Sequence, residues 1–134
     1  MINLLFTYGW ALEKIKDFLS QEDITHQQYN ILRILRGANP KPLSTLQIRE
    51  RMLDKMSDTS RIVDRMVLKE LVEKRVCSKD KRLVDITITQ KGQDLLKRLD
   101  EASAKMDAVM DNLSDTEAEQ LSGLLDKLRL NGKS

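Results

Sequence analysis

Between Leu71 and Gly92 the chain gathers side chains suited to gripping a phosphate backbone. Six cations (Lys74, Arg75, Lys79, Lys81, Arg82 and Lys91) stand there against three anions, Glu73, Asp80 and Asp85. The residues behind this basic tip alternate. Val84, Ile86 and Ile88 point one way, and Leu83, Asp85 and Thr87 the other, as a half-buried strand requires. A short hairpin with a basic tip, set directly behind a helix, can touch a nucleic-acid backbone or enter a groove. A second polar group lies upstream, with Ser57, Asp58, Ser60, Arg61 and Arg65 close together. Arginine can pair bidentately with guanine, and hydroxyls can meet bases or phosphates. Asp58 by itself repels phosphate. It is expected to hold Arg61 or Arg65, or to favour a helix N-terminus electrostatically.

Such chemistry needs elements to hold it. Thr25-His26-Gln27-Gln28, Ser44-Thr45-Leu46-Gln47 and Ser114-Asp115-Thr116-Glu117 each fit the capping box, in which the first hydroxyl and the fourth side chain satisfy each other's free N–H groups. Ile24 with Tyr29 and Leu43 with Ile48 add hydrophobic staples. Helices are therefore predicted to start near residues 26, 45 and 115. Gly37, Asn39, Pro40 and Pro42 close the first of them. A longer helix is predicted from about Ser57 to Glu73, burying Ile62, Val63, Met66 and Leu71. Thr89 is placed to cap another from Gln90 to about Asp111. The last helix carries a narrow apolar stripe of Ala118, Leu121, Leu124, Leu125 and Leu128, and an opening helix covers about Leu4–Leu19. The predicted fold is mainly α with a small β wing. Its short helix, turn at Asp54-Lys55-Met56 and longer helix form a helix-turn-helix candidate.

At 134 residues the chain is one domain's worth. Aromatics make up 4% and charged residues 33%, a helical composition. The opening Met1-Ile2-Asn3-Leu4-Leu5-Phe6 lacks a basic flank, and Glu13, Lys14 and Lys16 soon interrupt it, so no signal peptide is expected. No stretch reaches membrane-spanning length. One cysteine leaves no internal disulfide and suits a reducing interior, so a soluble, cytoplasmic protein is expected. One histidine and one cysteine offer too few ligands for zinc. No metal, cofactor or enzyme chemistry is expected. His26 reads as a solvated first-turn residue, Cys77 as a small half-buried strand residue, and Met106 and Met110 as packing. The net charge of +2 hides an asymmetry: residues 1–40 are neutral, 41–91 carry +5 and 92–134 carry −3. The positive middle calls for an anionic partner.

Asp80-Lys81-Arg82, five residues from Leu83 to Thr87, then Ile88-Thr89-Gln90-Lys91-Gly92, resembles the wing pattern of the MarR-family transcriptional regulators, which are winged helix-turn-helix proteins. In register upstream, Ser60-Arg61-Ile62-Val63-Asp64-Arg65-Met66 resembles the start of the family's recognition helix. The resemblance covers roughly residues 24–130. Three features depart from it. The segment before Thr25 is short compared with many members, which would curtail part of the first dimerisation helix. Glu70 stands where the family usually has glycine, so either Glu70 tolerates that backbone or the helix continues further. Thr59 stands where relatives carry a buried apolar residue.

The resemblance implies an N-terminal dimerisation helix over 1–23, a winged helix-turn-helix region over 24–91 and C-terminal dimerisation helices over 92–134, all within one structural domain. It implies a homodimer that binds double-stranded DNA as a sequence-specific regulator, a repressor released from a pseudo-palindromic operator by a small amphipathic or phenolic effector. It places Ser57, Asp58, Ser60, Arg61 and Arg65 against the major groove. In the wing, Arg82 would sit in or beside the minor groove, oriented by Asp80, with Lys79 and Lys81 on phosphates. The dimer interface would take Leu4, Leu5 and Trp10 from one end and Leu121, Leu124, Leu125 and Leu128 from the other. Two terminal helices on so small a chain cannot bury both faces within one winged domain, and a homodimer solves this. In a competing reading, the winged helix is a protein–protein interaction module whose basic wing faces an acidic protein surface.

Overall fold

All three capping boxes form. Thr25 Oγ1 accepts from Gln28 N at 3.1 Å while Gln28 Oε1 accepts from Thr25 N at 3.2 Å. Ser44 and Gln47 exchange the same bonds at 3.1 and 2.9 Å, and Ser114 and Glu117 at 3.2 and 3.0 Å. Each cap is worth about 1 kcal/mol and sets where the chain turns into a helix. The computed structural model describes residues 1–130; the last four positions of the expected C-terminal segment lie outside them. A first unit, Met1–Glu101, contains α1 (Ile2–Leu19), a 3₁₀ turn (Ser20–Glu22), α2 (His26–Ala38), α3 (Thr45–Arg51), α4 (Thr59–Leu68), β1 (Val72–Val76), β2 (Val84–Ile88) and α5 (Gln90–Glu101). A second, Ala102–Ser134, contains α6 (Ala104–Asp107), a 3₁₀ turn (Ala108–Met110) and α7 (Asp115–Arg129).

The core of the first unit joins helices to hairpin. Ile31, Leu32 and Leu35 of α2 are buried, as are Ile48 of α3, Val63 and Met66 of α4, and Leu95, Leu96 and Leu99 of α5. The hairpin adds Leu71, Val72, Ile86 and Ile88. β1 and β2 pair antiparallel from Val72↔Ile88 to Val76↔Val84. The period-two reading holds, with Ile86 and Ile88 buried, Val84 half-buried and Leu83 exposed. A further rung comes from Leu43, just before α3, which exchanges hydrogen bonds with Ile86 at 3.0 and 2.8 Å. Gly92 lets α5 approach the hairpin closely. A Cβ there would stand 2.5 Å from Leu71 O and 2.8 Å from Ile88 Cγ1, which no side-chain motion relieves at the backbone oxygen.

Four expectations change. The helix predicted over Ser57–Glu73 spans only Thr59–Leu68. Asp58 is its N-cap, accepting from Arg61 N at 3.3 Å, so Ser57 lies outside. At the other end Glu70 adopts a left-handed φ of 62°, with Glu70 N bonded to Val67 O and Leu71 N to Met66 O. This is the Schellman closure. Glutamate therefore takes the glycine conformation, and the helix does not continue; Glu73 belongs to β1. Of the predicted buried side, Val63, Met66 and Leu71 are buried but Ile62 is only half-buried. The helix predicted over Gln90–Asp111 breaks after Glu101. Leu95, Leu96 and Leu99 anchor α5 in the core, whereas residues 102–110 contain no buried residue. His26 is half-buried rather than solvated, and its loss of water, followed by the charge of Lys16, lowers its pKa.

In the second unit, Ser114 starts α7, and Leu121, Leu124 and Leu128 along it are exposed while Leu125 is half-buried.

Candidate nucleic-acid interface

Two groups of the first unit carry the chemistry, and the fold fixes them to each other. The Leu43–Ile86 bridge ties the wing to the start of α3. Between α3 and α4, Met56 N donates to Asp54 Oδ1 at 3.0 Å, and Ser57 N to Asp54 O at 3.2 Å. Asn30 Oδ1 of α2 accepts from Leu53 N at 2.9 Å, which anchors this turn on the core helix. A second link joins β1 to α4 directly, where Lys74 Nζ meets Asp64 Oδ1 at 2.9 Å.

On α4 the buried positions Thr59, Val63 and Met66 leave Ser60, Arg61, Asp64 and Arg65 exposed. Lys74 neutralises Asp64, the one acid on that exposed face, while Arg61 and Arg65 make no ion pair among the described residues. The face is therefore a cationic one. Asp58 serves as the cap and holds neither arginine side chain. Thr59 is buried like the apolar residue it replaces, and its Oγ1 has no hydrogen-bond partner among the described residues. Ser57 Oγ is sealed in the same way, so its hydroxyl does not reach the surface as it stands. An open groove runs between Thr45, Leu46 and Arg49 of α3 and Met56, Asp58 and Ser60 at the mouth of α4.

At the wing tip an ion pair joins residues two positions apart. Arg82 Nε donates to Asp80 Oδ1 at 3.1 Å and its Nη2 to Asp80 Oδ2 at 3.1 Å, a bidentate pair. Arg82 N also donates to Asp80 Oδ1 at 3.0 Å, and Leu83 N to Asp80 O at 3.0 Å. The Arg82 guanidinium, then its backbone N–H, hold the Asp80 carboxyl below the usual carboxylate range. The Arg82 side chain is nevertheless 89% exposed, against 33% for Asp80. A cation is thus presented to solvent with its rotamer already chosen, which reduces the entropy lost on binding an anion. Lys79 and Lys81 flank it, exposed and without an ion pair among the described residues, whereas Arg75 is paired with Glu73 at 3.1 Å.

Cys77 lies just beyond β1, half-buried, its N–H bonded to Leu83 O at 2.9 Å. Among the described residues no group of three or more His, Cys, Asp or Glu side chains could hold a metal ion, and no helix is long and apolar enough to cross a membrane. The links from Lys74 and Leu43 were not foreseen. The Ile24–Tyr29 and Leu43–Ile48 staples pointed to chain entry at the helices, but not to a strand rung.

Comparison with known proteins agrees with this geometry. The MarR family model matches residues 24–84. The HTH-type transcriptional regulator MhqR of Bacillus subtilis is 26% identical over 98% of this chain and 93% of its own length. The crystal structure of a mutant MarR from E. coli complexed with operator DNA superposes with a TM-score of 0.83 at 22% identity, covering 93% of this chain and 89% of that one. BpsR of Bordetella bronchiseptica, whose DNA binding is regulated by 6-hydroxynicotinic acid, superposes with a TM-score of 0.83 at 17% identity over 97% of this chain and 94% of its own. In its matched segment, its helix order and its two-stranded wing, the chain resembles the MarR-family regulators and shares the fold of their solved structures.

Proposed function

We propose that the chain is a homodimeric repressor that reads a pseudo-palindromic operator through α4 and the wing. The observation that carries this reading is the bidentate Asp80–Arg82 pair, which presents a preset guanidinium at the tip of an exposed hairpin. A guanidinium of this kind suits the strongly negative minor groove, while Arg61 and Arg65, with Ser60 beside them, suit base edges and phosphates of the major groove. Lys79 and Lys81 take phosphates. Asp58 acts as the cap of α4, and Ser57 contributes once its hydroxyl turns outward.

The dimer reading is supported at each end of the chain. On α1, Leu4, Leu5 and Trp10 are 40%, 61% and 40% exposed, with Phe6 and Tyr8 exposed beside them. On α7, Leu121, Leu124 and Leu128 are exposed beside the half-buried Leu125. Apolar faces of this kind call for a partner surface, and a second copy would also supply the second recognition helix. A small amphipathic effector that favours a DNA-incompetent spacing by a few kcal/mol would release the operator. The regulation of BpsR by 6-hydroxynicotinic acid supports an aromatic acid or phenol as its class.

Replacing Arg82 with alanine tests the reading. Affinity for an inverted repeat selected by the unaltered protein is expected to fall at least about tenfold, the scale of one good groove contact, while helicity and dimerisation stay unchanged. Unaltered affinity would remove the wing from the interface.

A further inference from the structure

Lys69 closes α4 as its C-cap residue, and its side chain turns inward. The Nζ donates to Asp23 O at 2.7 Å and to Gln28 Oε1 at 3.2 Å. Both acceptors lie where α1 gives way to α2. Asp23, with a left-handed φ of 51°, ends the 3₁₀ turn behind α1. Gln28, only 4% exposed, is the capping-box partner of Thr25 at the start of α2. The Lys69 carbonyl is tied in turn, accepting from Lys91 Nζ of α5 at 3.0 Å. The other side of the same junction is pinned to α5 by Glu22, which takes two bonds from Arg98 at 2.8 and 3.0 Å. Among the described residues no further side-chain hydrogen bond joins the α1–α2 junction to α4.

Lysine carries a flexible four-carbon stem, so holding it half-buried on two neutral acceptors gives up rotamer freedom that an exposed lysine would keep. The donors face the junction rather than solvent, which sets Lys69 apart from the outward cations Lys79 and Lys81. A joint of three or four residues at the end of a helix is also where a hinge absorbs backbone change. We propose that Lys69 is a positioning residue, whose ammonium fixes the angle of α4 against α1 and thereby the spacing of the two α4 helices in the dimer. This rests on the dimeric reading above, in which α1 carries the partner copy. Movement of α1 would reach α4 through this ammonium as well as through the core packing of α2, and its loss would leave each α4 correctly folded but less firmly held in angle.

The test uses the full chain with Cys77→Ser and Ser60→Cys, spin-labelled at position 60, and reads the distance between the two copies by pulsed electron resonance without DNA. The parent should give one narrow distance. Lys69→Met should broaden it, whereas Lys69→Arg, which retains donors, should keep it narrow; equal helicity by circular dichroism separates a lost tie from a lost fold. In parallel, the variants carrying Ser60 bind two duplexes: the inverted repeat selected by the unaltered protein, and a single half-site. Lys69→Met should lose about tenfold on the repeat and nothing on the half-site, the pattern of a lost coupling between sites. An unchanged distance would overturn the proposal. Equal losses on both duplexes would also overturn it, because Lys69 would then be a phosphate contact. No distance at all in the parent would defeat the dimeric reading itself, and this proposal with it.

Discussion

Glu70 shows a single residue accepting a backbone conformation that its side chain does not favour. Its φ of 62° would suit glycine, and a Cβ in that region costs roughly 1 kcal/mol. Its carboxylate recovers little, since its contact with Lys91 is 3.8 Å long and the side chain is 82% exposed. The Schellman bonds nevertheless hold, because β1 pairs with β2 and buries Leu71 and Val72 immediately afterwards. Glu70→Gly is therefore expected to raise unfolding stability by about 0.5–1 kcal/mol, read as a higher urea midpoint at unchanged slope. A lower midpoint would mean that the glutamate makes a contact worth more than the strain it introduces. Arg82 illustrates the opposite case, a side chain whose conformation is set by a neighbour two positions away. That pairing is local, and it was legible in the sequence for that reason.

At the scale of elements, what could be read from the sequence follows from sequence separation. Capping boxes close over three residues, so Thr25, Ser44 and Ser114 announced their helices correctly. Val72–Val76 carries Glu73, Lys74 and Arg75 and reads equally well as more helix; its strand state is decided by pairing with residues up to sixteen positions away. The bond from Lys69 to Asp23 spans 46 positions and that from Arg98 to Glu22 spans 76, so neither could be anticipated before the fold existed. The Glu22–Arg98 pair gives a pH signature. The hydrogen bond from Arg98 is the main cause holding the Glu22 carboxyl below its usual range, against a smaller opposing effect of burial. A carboxyl depressed in the folded state contributes stability above its unfolded value, near 4.3, and loses it as pH falls through the folded value. Glu22→Gln should thus be less stable at neutral pH by up to about 1 kcal/mol, a figure reduced for the solvent exposure of Arg98. The difference should close on acidification below about pH 4. A pH-independent difference in thermal midpoints would assign the effect to packing instead.

For the whole molecule, the open question is what covers the apolar side chains at its two ends. A surface that displays Leu5 and Phe6 on α1, and separately Leu124 and Leu128 on α7, is costly to leave in water. Leu124→Asp should weaken self-association by at least about tenfold in sedimentation equilibrium, since a buried charge opposes association by more than 1.4 kcal/mol. The capping boxes and the core of the first unit should be untouched. An unchanged association constant would place α7 outside the interface. A dimer, as proposed, would give the charge distribution its purpose. The +5 carried by residues 41–91 is folded into one unit with Arg61, Arg65 and Arg82, and a second copy would double that unit across a two-fold axis. Selection of binding sites by the purified protein from a pool of random duplexes, followed by sequencing, tests this account most directly. It predicts enrichment of an inverted repeat with half-sites about one helical turn apart. Weak, salt-sensitive binding without any enriched sequence would contradict it, and would favour a basic wing that meets an acidic protein surface.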